Sequence, residues 1–295
     1  MGFLDMYVLG LSLLSLTLAQ ECNRDFYVAS QDDADNVGRD CSIVNGSVFI
    51  NGTYSGSLVL NRVRNITVAF RVAWWDLAPT PQLTSVELPD LEYVRWIDLP
   101  KLTASKFSAQ KLEGLDNMSL GQAAHGSELD FGSLVTAERS MTIIGNYSSV
   151  NLASLETMNG ELSICSIEGC KEDEPYSSIS STMNLTLSSL TSIPRLQLAV
   201  KTESISLPYL NTMTEASSRG PEVDIHVLDA TASVSLPQLA SLKGTLDIQG
   251  SISSLNLSSL RDAEGDIYIA TTHPLNISLP IVSAEYLALT GAVEG

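Results

Sequence analysis

Apolar and polar positions alternate along this chain in short blocks, and the blocks recur every twenty-odd residues. Three stretches carry the unit in full: Val150-Asn-Leu152-Ala-Ser-Leu155-Glu-Thr-Met158-Asn-Gly160-Glu-Leu162-Ser-Ile164, Val234-Ser-Leu236-Pro-Gln-Leu239-Ala-Ser-Leu242-Lys-Gly244-Thr-Leu246-Asp-Ile248 and Leu255-Asn-Leu257-Ser-Ser-Leu260-Arg-Asp-Ala263-Glu-Gly265-Asp-Ile267-Tyr-Ile269. Each holds two blocks of period 2, such as Val234-x-Leu236 and Leu246-x-Ile248. Period 2 sends Val234 and Leu236 to one face of a strand and Ser235 to the other. A Pro or Ser after the first block and a Gly before the second punctuate the chain. The unit therefore predicts strand, bend, strand, bend. So small a unit cannot bury its apolar face alone. Its recurrence predicts stacked coils, each strand pairing in parallel with its equivalent about 4.8 Å away.

Weaker copies keep the register. They are Leu129-Asp-Phe131 with Met141-Thr-Ile143, Leu185-Thr-Leu187 with Leu196-Gln-Leu198, Ile205-Ser-Leu207 with Val223-Asp-Ile225, and Ile277-Ser-Leu279 with Leu287-Ala-Leu289. Upstream, Val86-Glu-Leu88, Phe107-Ser-Ala109 and Leu58-Val-Leu60 fit more loosely. The central residues fall at 60, 88, 109, 131, 152, 187, 207, 236, 257 and 279. Three long gaps between them predict insertions near 70–85, 165–183 and 214–222, rich in Pro, Ser, Glu or Asp as surface loops are. The predicted class is all-β: a parallel β-helix of about ten rungs, roughly 45–50 Å long. Leucine-rich repeats share this period. The asparagine of their ladder does not recur here, however, and the segments between blocks are too short and too rich in Gly and Ser for a good helix. An ordinary β-sandwich would need three fifteen-residue matches to coincide by chance.

Residues 1–19 hold an apolar run from about Met6 that ends Thr17-Leu18-Ala19, the pattern of a signal peptide cut after Ala19. The run is short for a transmembrane helix. Secretion is also the expectation from eight N-x-[S/T] sequons, at Asn45, Asn51, Asn65, Asn117, Asn146, Asn184, Asn256 and Asn276. Asn256 lies between the inward Leu255 and Leu257, so a glycan there would leave the core undisturbed. Four cysteines in an oxidising compartment allow three pairings, and proximity in sequence favours Cys22–Cys41 and Cys165–Cys170. The first would fasten a cap, residues 20–42, over the end of the solenoid. That cap contains Ser30-Gln-Asp-Asp33, a start of capping-box type for a short helix. The predicted organisation is then signal peptide 1–19, cap 20–42, solenoid 43–290 and tail 291–295.

With these residues in view, the chain resembles the receptor-L-domain repeats of fungal cell-wall organisation proteins. The likeness rests on the Ser-Leu-Pro-x-Leu repeat, on Cys22, on Asp33-Ala34-Asp35, and on the run Cys41-Ser-Ile-Val-Asn-Gly46-Ser-Val48-Phe-Ile50. It implies a right-handed β-helix, heavy glycosylation, a place in the wall or at the outer face of the plasma membrane, and a role in wall integrity without enzymatic activity. Members usually carry a Ser-rich stalk and an anchor signal after the repeats. This sequence stops at Leu289-Thr-Gly-Ala-Val-Glu-Gly295 with neither. A truncated product or a freely secreted variant is the expectation, with membrane contact only through a lipid anchor absent from this chain.

The net charge is −18 with no basic patch, which disfavours nucleic acid. Metal binding by the cysteines is disfavoured by the absence of a C-x2-C motif or a nearby histidine. Outward acids occur at Glu161, Asp224, Asp247 and Asp266, and read as a solvated face rather than as a glycosidase pair. His125, His226 and His273 are scattered, and His226 should point outward from its strand. Glu172-Asp-Glu174 and Asp32-Asp33-Asp35 lack calcium-loop spacing. Trp74, Trp75 and Trp96 suit packing against the solenoid side better than stacking on sugar. No catalytic, cofactor or metal residue is expected, and no cofactor. The expected partners are wall polysaccharide or wall proteins and the chain's own N-linked glycans. The competing readings are a receptor-like or adhesive module, then a β-helix carbohydrate-active enzyme.

Overall fold

The structure, a computed structural model, describes residues 22–73, 80–166, 182–213, 222–277 and 279–294, with the backbone alone at 122–125 and 292–294. It is a parallel β-helix. Every strand pairing among the described residues is parallel and joins one coil to the next. The expected signal peptide, Trp74, Trp75, Cys170 and Glu172-Asp-Glu174 lie outside the described residues, as do parts of all three expected insertions.

Each coil contributes to three ladders rather than two. The longest runs in unbroken register through Tyr27, Phe49, Arg71, Asp98, Ser119, Thr142, Ser163, Gln197, Asp224, Asp247, Tyr268 and Ala288. A second ladder holds the first block of each unit, for example 204–206 against 233–235 and then 254–256. The third is made of two-residue strands such as Thr136–Ala137, Thr157–Met158 and Ser192–Ile193. Two residues are too few to show an alternation, so this ladder is not marked as a strand in the sequence. Its inward members, Ala137, Met158, Ile193, Met213, Leu242 and Ala263, fill the apolar position after L-x-x of the repeat and are buried.

The L-x-x-L segment is the corner between the second and third ladders. The amide of Leu155 donates to the carbonyl of Leu152 at 3.1 Å, and the same four-residue turn recurs at Leu134 to Phe131, Leu239 to Leu236 and Leu260 to Leu257. The central residues from Leu60 to Leu257 are at most 2 % exposed and join one continuous core, with Leu279 half-buried against it. The glycines at the second bend have a packing cause. A β-carbon on Gly160 would lie 2.1 Å from the carbonyl oxygen of Arg139, and one on Gly265 would lie 2.1 Å from that of Gly244. The coils pass too closely there for any side chain.

The cap forms as its sequence predicts. Cys22 and Cys41 are disulfide-bonded. Ser30 caps the helix Gln31–Asp40: its hydroxyl accepts from the Asp33 amide at 3.3 Å, and the Asp33 carboxylate accepts from the Ser30 hydroxyl at 2.9 Å and from the Ala29 amide at 3.0 Å. The cap is nonetheless part of the ladder, because Phe26–Val28 pairs with Val48–Ile50. The helix occupies the place of a strand in the second ladder and covers the edge strand Ser55–Val59. At the other end the last strand, Ser283–Glu294, runs through the expected tail and leaves Tyr286, Leu287 and Leu289 exposed.

Candidate functional site

The outside of the solenoid carries the chemistry, because the inside is apolar and closed. The sequons sort by exposure. Asn45, Asn184, Asn256 and Asn276 are exposed, while Asn51, Asn65, Asn117 and Asn146 are half-buried. None belongs to the apolar core. Asn184 and Asn256 stand on the outward face of the second ladder, paired with Ser149 and Ser235. Two of the half-buried asparagines are engaged locally: Asn51 Oδ1 accepts from the amide and hydroxyl of Thr53, and Asn117 Oδ1 accepts from the amide and hydroxyl of Ser140. Trp96, 37 % exposed, lies beside Asn117 in register, with the Arg95 guanidinium 5.6 Å from its ring centre.

The long ladder gathers a cluster from two successive coils. Asp224 and His226 alternate with buried Val223, Ile225 and Val227 on one strand, so both side chains point outward. Asp247 is the direct register partner of Asp224 on the next strand. One ligand atom from each of Asp224, His226 and Asp247 lies within 4.8 Å of the others. His226 Nε2 is 2.8 Å from Asp224 Oδ1, and the two side chains are only 11 % and 17 % exposed. Two glutamines orient the carboxylates. Gln197 Nε2 donates to Asp224 Oδ2 at 3.1 Å, and Gln249 Nε2 donates to Asp247 Oδ2 at 3.0 Å. Gln197 is held in turn, its Oε1 accepting from the Ser163 hydroxyl at 3.1 Å.

The other expected residues do not join this group. Glu161 and Glu222 flank Arg195, whose guanidinium reaches Glu222 at 2.8 Å. Asp266 accepts from the Tyr268 hydroxyl at 3.2 Å. His273 Nδ1 lies 2.7 Å from the Ser251 hydroxyl. The His125 side chain lies outside the described residues. Cys165 is fully buried, no described cysteine is free, and its expected partner Cys170 lies outside the described residues. Asp32, Asp33 and Asp35 belong to the helix, where Asp33 serves the cap; the Ser30 hydroxyl and the Ala29 amide hold its carboxyl below the usual range. The gathering of Asp224, His226 and Asp247 had a signal in the repeat: Val223-Asp-Ile225 and Leu246-Asp-Ile248 occupy the same place in consecutive units.

Among the described residues no helix is long and apolar enough to cross a membrane. Compared with known protein families, curated proteins and solved structures, the chain matches none.

Proposed function

We propose that this chain is a non-catalytic, secreted glycoprotein of a fungal-type cell surface or wall. Its contribution is architectural: a rod of about 50 Å that holds N-glycans and hydroxyl-rich strand faces against wall polymers. The single observation that carries this reading is the placement of the eight sequons, all outside the core of a solenoid whose interior is filled by Leu, Ile and Val. A stacked β-helix resists bending because each coil is hydrogen-bonded to its neighbours along three ladders. Its acidic surface, net −18, keeps such rods apart.

The test has two parts. Intact glycopeptide mass spectrometry of the protein secreted by its own host should find glycans at Asn45, Asn184, Asn256 and Asn276. Deleting the gene should sensitise growth to wall-binding dyes, and re-expression should restore it. An unglycosylated product, or normal growth of the deletion strain on such dyes, would overturn the reading.

A further inference from the structure

We propose that Asp224, His226 and Asp247 form a binding site for a divalent metal of the zinc class, bridging two successive coils. The donor set is one imidazole nitrogen and two carboxylates, a combination that suits zinc and its first-row neighbours. It is a poor match for calcium, which takes six to eight oxygens. The ligand atoms lie within 4.8 Å of one another. Ligands around a tetrahedral zinc stand about 3.4 Å apart, so side-chain rotations of about 1 Å close the set.

Three features separate this group from an ordinary solvated face. First, Asp224 and Asp247 are stacked in direct register, where like charges repel. The neighbouring members of that ladder are neutral: Ser163 and Gln197 on one side, Tyr268 on the other. Second, one donor atom from each of the three side chains converges on the same small volume, so a divalent cation would engage all three and offset both negative charges. Third, the glutamines fix the carboxylates through one oxygen each. This is how outer partners orient metal ligands, and the chain Ser163–Gln197–Asp224 extends it a further step. Three protein ligands leave a fourth position toward solvent, which a water or a hydroxyl group can fill. The site would staple the coil of Asp224 to that of Asp247.

The experiment is isothermal titration of the chelator-stripped full-length secreted protein with zinc chloride, alongside native mass spectrometry. The expected result is one saturable zinc per chain. His226→Gln and Asp247→Asn should each weaken it tenfold or more, Gln197→Ala should weaken it less, and His273→Gln should leave it unchanged. Millimolar calcium should not compete. Far-UV circular dichroism checks each variant. Should Asp247→Asn misfold, His226→Gln decides, together with the rise in the wild-type melting temperature that zinc binding to the folded state produces. No saturable zinc binding by the wild type, binding that survives His226→Gln, or equal loss in His273→Gln would each overturn the site.

Discussion

The side chain of Gln31 takes the place of a strand beside Val59. Its Oε1 accepts from the Val59 amide at 2.9 Å, and its Nε2 donates to the Val59 carbonyl at 2.7 Å. The edge strand Ser55–Val59 would otherwise present these groups unpaired, as any solenoid end does. One primary amide at the first turn of the cap helix reproduces both halves of a ladder pair. Gln31→Ala should lower stability by about 1–3 kcal/mol, the cost of leaving part-buried backbone groups unsatisfied. Gln31→Glu should fall between, because a carboxylate accepts from the amide but cannot donate to the carbonyl. Chemical denaturation gives the magnitude. Hydrogen exchange at the Val59 amide, faster in the Ala variant, places the effect at the edge.

The stacked core predicts a gradient from the middle of the rod to its last coil. Leu152 is fully buried, with coils on both sides, while Leu279 is half-buried beside the exposed Val282. Leu152→Ala should cost about 2–5 kcal/mol, through lost transfer energy and an unfilled cavity. Leu279→Ala should cost under about 2 kcal/mol, since water already reaches it. Matched denaturant melts of the two variants measure the difference. Equal losses would mean that the apolar column does not dominate stability.

How much of this was legible in the sequence depends on what a single unit can show. The inward Leu, Ile and Val positions were readable because alternation over three residues marks a face. The third ladder was not, because Thr157–Met158 and its equivalents are too short to alternate. The role of Gln31 was hidden for a different reason: a Gln in the first turn of a helix is ordinary, and only the stacking of that helix on a strand edge gives it a partner. The Asp224–His226–Asp247 group lay between these cases. Each residue was readable as outward, but bringing Asp224 beside Asp247 required knowing which residues of successive coils are in register.

The repeat glycines test the spacing between coils. Gly160 is half-buried, and a β-carbon there would sit 2.1 Å from the Arg139 carbonyl oxygen and 2.5 Å from its carbon, both backbone atoms that cannot swing aside. Gly160→Ala should therefore cost about 1–3 kcal/mol or more, despite adding only one methyl group. Gly56 is the control. It has positive φ, but a β-carbon would meet nothing within 4 Å, so its penalty is conformational alone. Comparing the two alanine variants by thermal melting separates close approach from backbone strain.

The cap gives a pH dependence whose sign is fixed by Asp33. Hydrogen bonds from the Ser30 hydroxyl and the Ala29 amide favour its ionised form and hold its carboxyl below the usual value of 3.8. A carboxyl with a depressed folded-state pKa contributes stability that is fully present above the unfolded value and is lost as pH falls through the folded one. Asp33 is half-buried at the surface, so solvent still screens the contribution, to about 0.3–1 kcal/mol, typical of a charge at a helix N-terminus. Asp33→Asn should be slightly less stable than the wild type at pH 7. The gap should narrow below about pH 4 and close once the wild-type carboxylate is protonated. Ser30→Ala removes the cap hydroxyl as well and should cost about 0.5–2 kcal/mol at pH 7. Only the part of that loss that acts through the Asp33 carboxylate should fade in acid. Melting temperatures of the three proteins from pH 2 to 7 decide the matter, and a gap for Asp33→Asn that is constant across that range would mean that the carboxylate's charge plays no part in holding the cap.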